Sequence, residues 1–159
     1  MNIPKLLVAA FSATNVMTTF SYLMAGKYKA LFAEPVMLNF ILDRLHLCIP
    51  GRFKKFTGWL AHYCIGLAFV FAYALLWRYA GIRFGWLSAF TFGVASAIIG
   101  MIGWTLIYRL PDKKPPVPLR DYYVQLFFAH IIFALVVVAA CKVFDYDPVG
   151  KVRRELSAL

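Results

Sequence analysis

The chain has 159 residues, of which 62% are hydrophobic and 18% aromatic, with a mean hydropathy of +0.72 and a formal net charge of +10. So apolar a composition excludes an ordinary soluble domain, and the length is used up by one helical bundle. The basic residues lie in loops and at the ends of apolar runs, where they meet lipid phosphates. With no soluble domain to carry a basic patch, nucleic acid is excluded as a partner.

Four apolar runs approach the ~20 residues needed to cross ~30 Å of hydrocarbon. They predict an all-α, integral membrane four-transmembrane-helix bundle, one membrane domain over 1–159. The first span covers about 5–25. It follows a weak n-region with one lysine and is too long for a typical secretory h-region. It also carries Ser12, Thr14, Asn15, Thr18, Thr19 and Ser21, which suit a helix packed against protein rather than a cleaved leader.

The first loop holds a short amphipathic helix at about 34–47, with Pro35 suited to its first turn and Pro50-Gly51 beyond its end. Asn39, Asp43 and His46 form a polar stripe on it. It is too short to span, and is expected to lie in the interface or tuck against the bundle. The basic cluster Arg52, Lys54 and Lys55 follows, placed to meet anionic headgroups.

The second span covers about 57–79, with Trp59 at one end and Trp77 and Tyr79 at the other. The third, about 85–108, opens with Trp86 and closes with Trp104 and Tyr108. The fourth, about 121–142, opens with Tyr122 and Tyr123. Aromatic rings at run ends are the interfacial belts of membrane helices.

In the third span Gly85, Ala89, Gly93, Ser96, Gly100 and Gly103 recur every three or four residues. Small residues on one face let a neighbouring backbone approach closely. The complementary face is expected on the second span at His62, Gly66, Phe69 and Tyr73. The third loop contains a PxxP spacing within Pro111–Pro118. It reads either as a polyproline ligand or, more plainly, as a stiff connector. Ten Lys and Arg in the first and third loops against seven elsewhere place those loops in the cytoplasm and both termini outside.

Chemistry-bearing residues are few. Cys48, Cys64 and Cys141 have no CxxC spacing and an odd number, so neither a disulfide framework nor a zinc site is expected. All seven acids lie outside the interiors of the spans. That leaves no paired carboxylates for catalysis, and no intramembrane acid for a coupled transporter. No catalytic residue and no metal ligand set is assigned.

His62 and His130 do fall within spans, in the same half of the bilayer. Each is expected to be neutral, to face the bundle interior and to have a polar neighbour. Thr18, Ser21 and the Gly100–Trp104 backbone are the expected sources. His62, His130, Thr18, Ser21 and Trp104 are therefore the candidate ligand-binding residues. Two imidazoles at similar depth also admit a haem b iron. The plainer reading is a pair of hydrogen bonds between helices.

Between Gly58 and Cys141 the layout resembles the YagU-like family of small bacterial inner-membrane proteins. The carrying residues are Gly58-Trp59, His62, Gly66, Phe69 and Tyr73, the glycine-rich third span, Pro115-Pro116 and Phe128-Ala129-His130. The first loop departs from that family at Glu34-Pro35 and Asp43-Arg44. The resemblance implies a membrane bundle in a bacterial inner membrane and supplies no reaction.

The leading functional expectation is a non-enzymatic membrane protein embedded in the lipid bilayer. It would bind a partner protein or a small apolar ligand, either as copies of itself or as a subunit of a larger membrane complex. The alternatives are a haem- or quinone-linked redox protein using His62 and His130, and a small transporter or channel.

Overall fold

The computed structural model describes residues 2–28, 33–44, 50–109 and 117–144. These form helices α1 (Ile3–Tyr28), α2 (Glu34–Arg44), α3 (Gly51–Tyr79), α4 (Trp86–Ile107) and α5 (Leu119–Val143). Four stretches, Ile3–Lys27, Phe56–Tyr79, Trp86–Ile107 and Leu119–Val143, are long and apolar enough to cross a bilayer. Large side chains such as Phe11, Leu23, Leu87, Ile102 and Phe128 stand exposed on their outer faces, as befits helices solvated by lipid. His46, Cys48, the Pro111–Pro116 stretch of the third loop, the tail beyond Phe144 and the side chains of Arg52, Lys54 and Lys55 lie outside the described residues.

The four long helices alternate in direction. Thr18 and Asn15 of α1 meet His62 and Tyr63 of α3, Tyr73 and Trp77 of α3 meet Ser96 and Ser88 of α4, and Lys5 of α1 donates to the Phe144 carbonyl just beyond α5. The C-terminal ends of α1 and α4 therefore lie at one end of the bundle. α5 packs along α1 and α4, and α3 packs along α1. α5 is buried along Tyr122, Leu126, Ala129, Phe133, Val137 and Cys141, a stripe at helical spacing that makes it the core element.

The small-residue face of α4 finds its close neighbour in α5, and not in α3 as the sequence led us to expect. A Cβ at Gly93 would stand 2.7 Å from the Ile131 Cα and 3.1 Å from the His130 carbonyl oxygen, so the two backbones cross there. Ala89 and Ser96 are buried on the same face, whereas Gly85 and Gly103 have open space where a Cβ would stand. The proposed α3 face meets α4 through large side chains instead. Tyr73 stacks on Phe92 with centroids 5.0 Å apart, and the Trp77 indole N–H donates to Ser88 Oγ at 2.9 Å. Large rings hold these two helices apart, and toward the opposite end of the bundle the seam opens.

α2 is tucked against the bundle. Met37 and Ile41 are buried, as is Ala33 just ahead of the helix. The backbone of α2 lies directly on Gly58 of α3, whose missing side chain leaves room for the Pro35 carbonyl and the Asn39 side chain. Asn39 Oδ1 accepts the Gly58 N–H at 3.0 Å, a donor in the second turn of α3 with the helix carbonyl ladder behind it. Of the expected polar stripe, Asn39 therefore faces protein while Asp43 is exposed.

Candidate functional site

Where α3 and α4 part, a cavity of about 200 Å³ penetrates to α1 and α5. Its walls are mostly apolar, from Met17, Leu38, Phe69, Leu126, Phe133 and Trp104. Ile65 and Ile99, 46% and 58% exposed, stand at its edge on α3 and α4. These two exposed side chains put the outer edge of the cavity at the α3–α4 seam.

Four polar residues converge on it: Thr14 from α1, Glu34 from α2, His62 from α3 and His130 from α5. Glu34 is 2% exposed, and each imidazole 6%. His62 Nε2 lies 2.9 Å from Thr18 Oγ1, and Thr18 in turn donates to the Thr14 carbonyl at 2.7 Å. His130 Nδ1 donates to the Leu126 carbonyl at 2.9 Å, and its ring meets Phe69 edge-on at 5.8 Å. Gly100 lets the His130 ring pass, since a Cβ there would come within 3.0 Å of Cε1 and Nε2.

Glu34 overturns the expectation that no acid enters the bundle. It lies outside the spans in sequence, yet the docking of α2 on Gly58 carries its side chain inward. Glu34 Oε1 accepts from Ser21 Oγ at 3.0 Å and from Gln125 Nε2 at 3.4 Å, and Gln125 also donates to Ser21 at 2.6 Å. Glu34 Oε2, Gln125 Oε1 and Thr14 Oγ1 are buried with no hydrogen-bond partner among the described residues. Burial pushes the Glu34 carboxyl up to about 7, against the opposing pull of hydrogen bonds from its own backbone, Ser21 and Gln125.

Of the residues singled out from the sequence, His62, His130 and Trp104 line the cavity together with Gly100 and Gly103. Thr18 holds His62 from behind. Ser21 serves Glu34 and not a histidine. Sequence reading passed over Glu34 and Gln125. The signal for both was Gln125 itself: a primary amide inside the most apolar span requires buried partners, and neither imidazole supplies them.

No group of three or more His, Cys, Asp and Glu side chains among the described residues could hold a metal ion. Comparison with protein-family models, with characterised proteins and with solved structures finds no match to this chain.

Proposed function

We propose that this protein binds a small apolar molecule, or the end of a larger one, which enters from the bilayer between α3 and α4. The observation that carries this is the cavity itself: about 200 Å³, apolar over most of its wall, with Glu34, His62, His130 and Thr14 converging on it. Binding sites characteristically combine an apolar lining with a few placed polar groups. An engineered apolar cavity of about 150 Å³ takes up benzene, so this one has room for a single ring with a polar substituent. Binding calls for no catalytic turnover, and assembly into a larger complex would use the exposed outer faces. In keeping with the YagU-like resemblance, the setting is a bacterial inner membrane, with the first and third loops cytoplasmic.

Haem fits this geometry less well. Ligand pockets for larger molecules run to ~300–1,000 Å³, and His62 already engages Thr18 through Nε2. The buried carboxyl of Glu34 favours a second reading, since it supplies the intramembrane acid that a proton-coupled transporter needs. Proton flux into liposomes, compared between the parent and Glu34→Gln, tests that reading.

The binding reading is tested by Trp104 fluorescence in lipid nanodiscs. Bromobenzene at a low membrane concentration should quench it saturably, and Trp104→Phe should remove the saturable component. Quenching that rises linearly with probe, as expected of collisions in lipid, would refute the proposal.

A further inference from the structure

The hydrogen bonds behind the cavity wall decide which polar group the cavity accepts. The Leu126 carbonyl can only accept, so His130 Nδ1 carries the proton in that 2.9 Å contact. The neutral imidazole then presents Nε2 as a lone pair. Gly100 leaves the space in front of that nitrogen open, within 3.0 Å of where a Cβ would stand. His62 follows the same logic. With the Thr18 hydroxyl hydrogen on the Thr14 carbonyl at 2.7 Å, Thr18 Oγ1 is placed to accept from His62 Nε2 at 2.9 Å. In the neutral ring Nδ1 is left as the acceptor. Neither His130 Nε2 nor His62 Nδ1 has a hydrogen-bond partner among the described residues. Glu34 Oε2 is buried and unpartnered as well, and no Lys or Arg lines the cavity.

We infer that the occupant carries a hydrogen-bond donor at its polar end, a hydroxyl on a benzene-sized ring, received by the lone pair of His130 Nε2 in the cavity that His62 and Glu34 also line. An ether or ketone on the same ring has no hydrogen for His130 Nε2 and leaves that lone pair unsatisfied. A carboxylate or phosphate would face the same acceptors with no cation to balance it. The inference rests on the lateral-cavity reading above and narrows it to a chemical class.

Three para-brominated single-ring probes test it on the full chain in nanodiscs: 4-bromophenol, 4-bromoanisole and 4-bromobenzoate. Affinity is read from saturable quenching of Trp104 and referred to each probe's own membrane concentration. The phenol should bind at least about tenfold more tightly than the anisole, the effect of one unmatched buried hydrogen bond, and the benzoate most weakly. His130→Phe keeps the ring and its contact with Phe69 but removes Nε2, and should bring the phenol-to-anisole ratio close to one. Should that variant fail to fold, Gly100→Ala places a methyl in front of Nε2 and should give the same loss. Equal binding of phenol and anisole, tightest binding of benzoate, or a ratio unchanged in the His130→Phe or Gly100→Ala variant would each overturn the donor inference while leaving the cavity reading standing. Saturable quenching by none of the three would remove the cavity reading itself.

Discussion

Ser21 of α1 and Glu34 of α2 stand 13 residues apart in the chain and meet inside the bundle, hydroxyl to carboxyl at 3.0 Å. The contact joins the end of the first span to the start of the loop helix, and Gln125 of α5 closes the cluster from the opposite wall. A short loop helix thereby brings a carboxyl to the level of Ser21 and Gln125, inside the first and last spans.

The carboxyl makes stability fall as pH rises. Its folded pKa, about 7, lies above the ordinary 4.5, so the native state holds a proton that the unfolded state releases. The stabilisation is fully present below about pH 4.5 and is lost as pH rises through about 7. The difference amounts to roughly 3 kcal/mol. Thermal melts in nanodiscs between pH 4.5 and 8 should show this decline in the parent and a flatter profile in Glu34→Gln. Parallel profiles for the two proteins would show that Glu34 is not the titrating group.

Docking of α2 depends on the absence of a side chain at Gly58. Gly58→Val pushes into the Pro35 carbonyl and the Asn39 side chain, and should destabilise by about 1–3 kcal/mol, as overpacking does. It should also expose Glu34 to carbodiimide labelling. Gly26 has nothing within 4 Å of where its Cβ would stand, so Gly26→Val serves as the control and should leave both the melt and the labelling unchanged.

The α4–α5 crossing supplies a second contrast between glycines on one face. Gly93→Leu collides with the Ile131 backbone and should lower the melting temperature sharply. Gly103→Ala meets nothing within 4 Å and should be nearly neutral. Equal effects at the two positions would mean that α5 does not pass where this structure puts it.

Removing the support behind His62 should cost less. Thr18→Val strips the acceptor from Nε2, and hydrogen bonds between membrane helices average ~0.6 kcal/mol, reaching ~1.7. A loss in that range is expected from chemical denaturation in mixed micelles, together with a shift of the His62 ring resonances in nitrogen NMR. Unmoved resonances would place the Thr18 hydroxyl elsewhere.

The spans were legible in the sequence because membrane-length apolar runs with aromatic ends leave few alternatives to a helix. The small-residue spacing on α4 was legible too, but not its partner. Glycine spacing marks a face without naming what crosses it, and the rings of Tyr73 and Trp77 keep α3 too far away for that role. Glu34 was hidden for a different reason. Its depth is set by α2 docking on Gly58, a tertiary contact made by an 11-residue helix with no span-like signature. Local sequence says where α2 begins and leaves open which way its first side chain points. The cavity, being the space left between α3 and α4, has no sequence signature of its own.

The proposed function requires a ring-sized molecule to enter between α3 and α4. Crystals of the protein grown in lipidic phase and soaked with bromobenzene test this through the anomalous signal of bromine. The predicted peak lies in the cavity bounded by Gly100, Trp104, Leu126 and His130. Ile65 and Ile99 in mutual contact, with bromine found only on the outer lipid-facing surface, would contradict it.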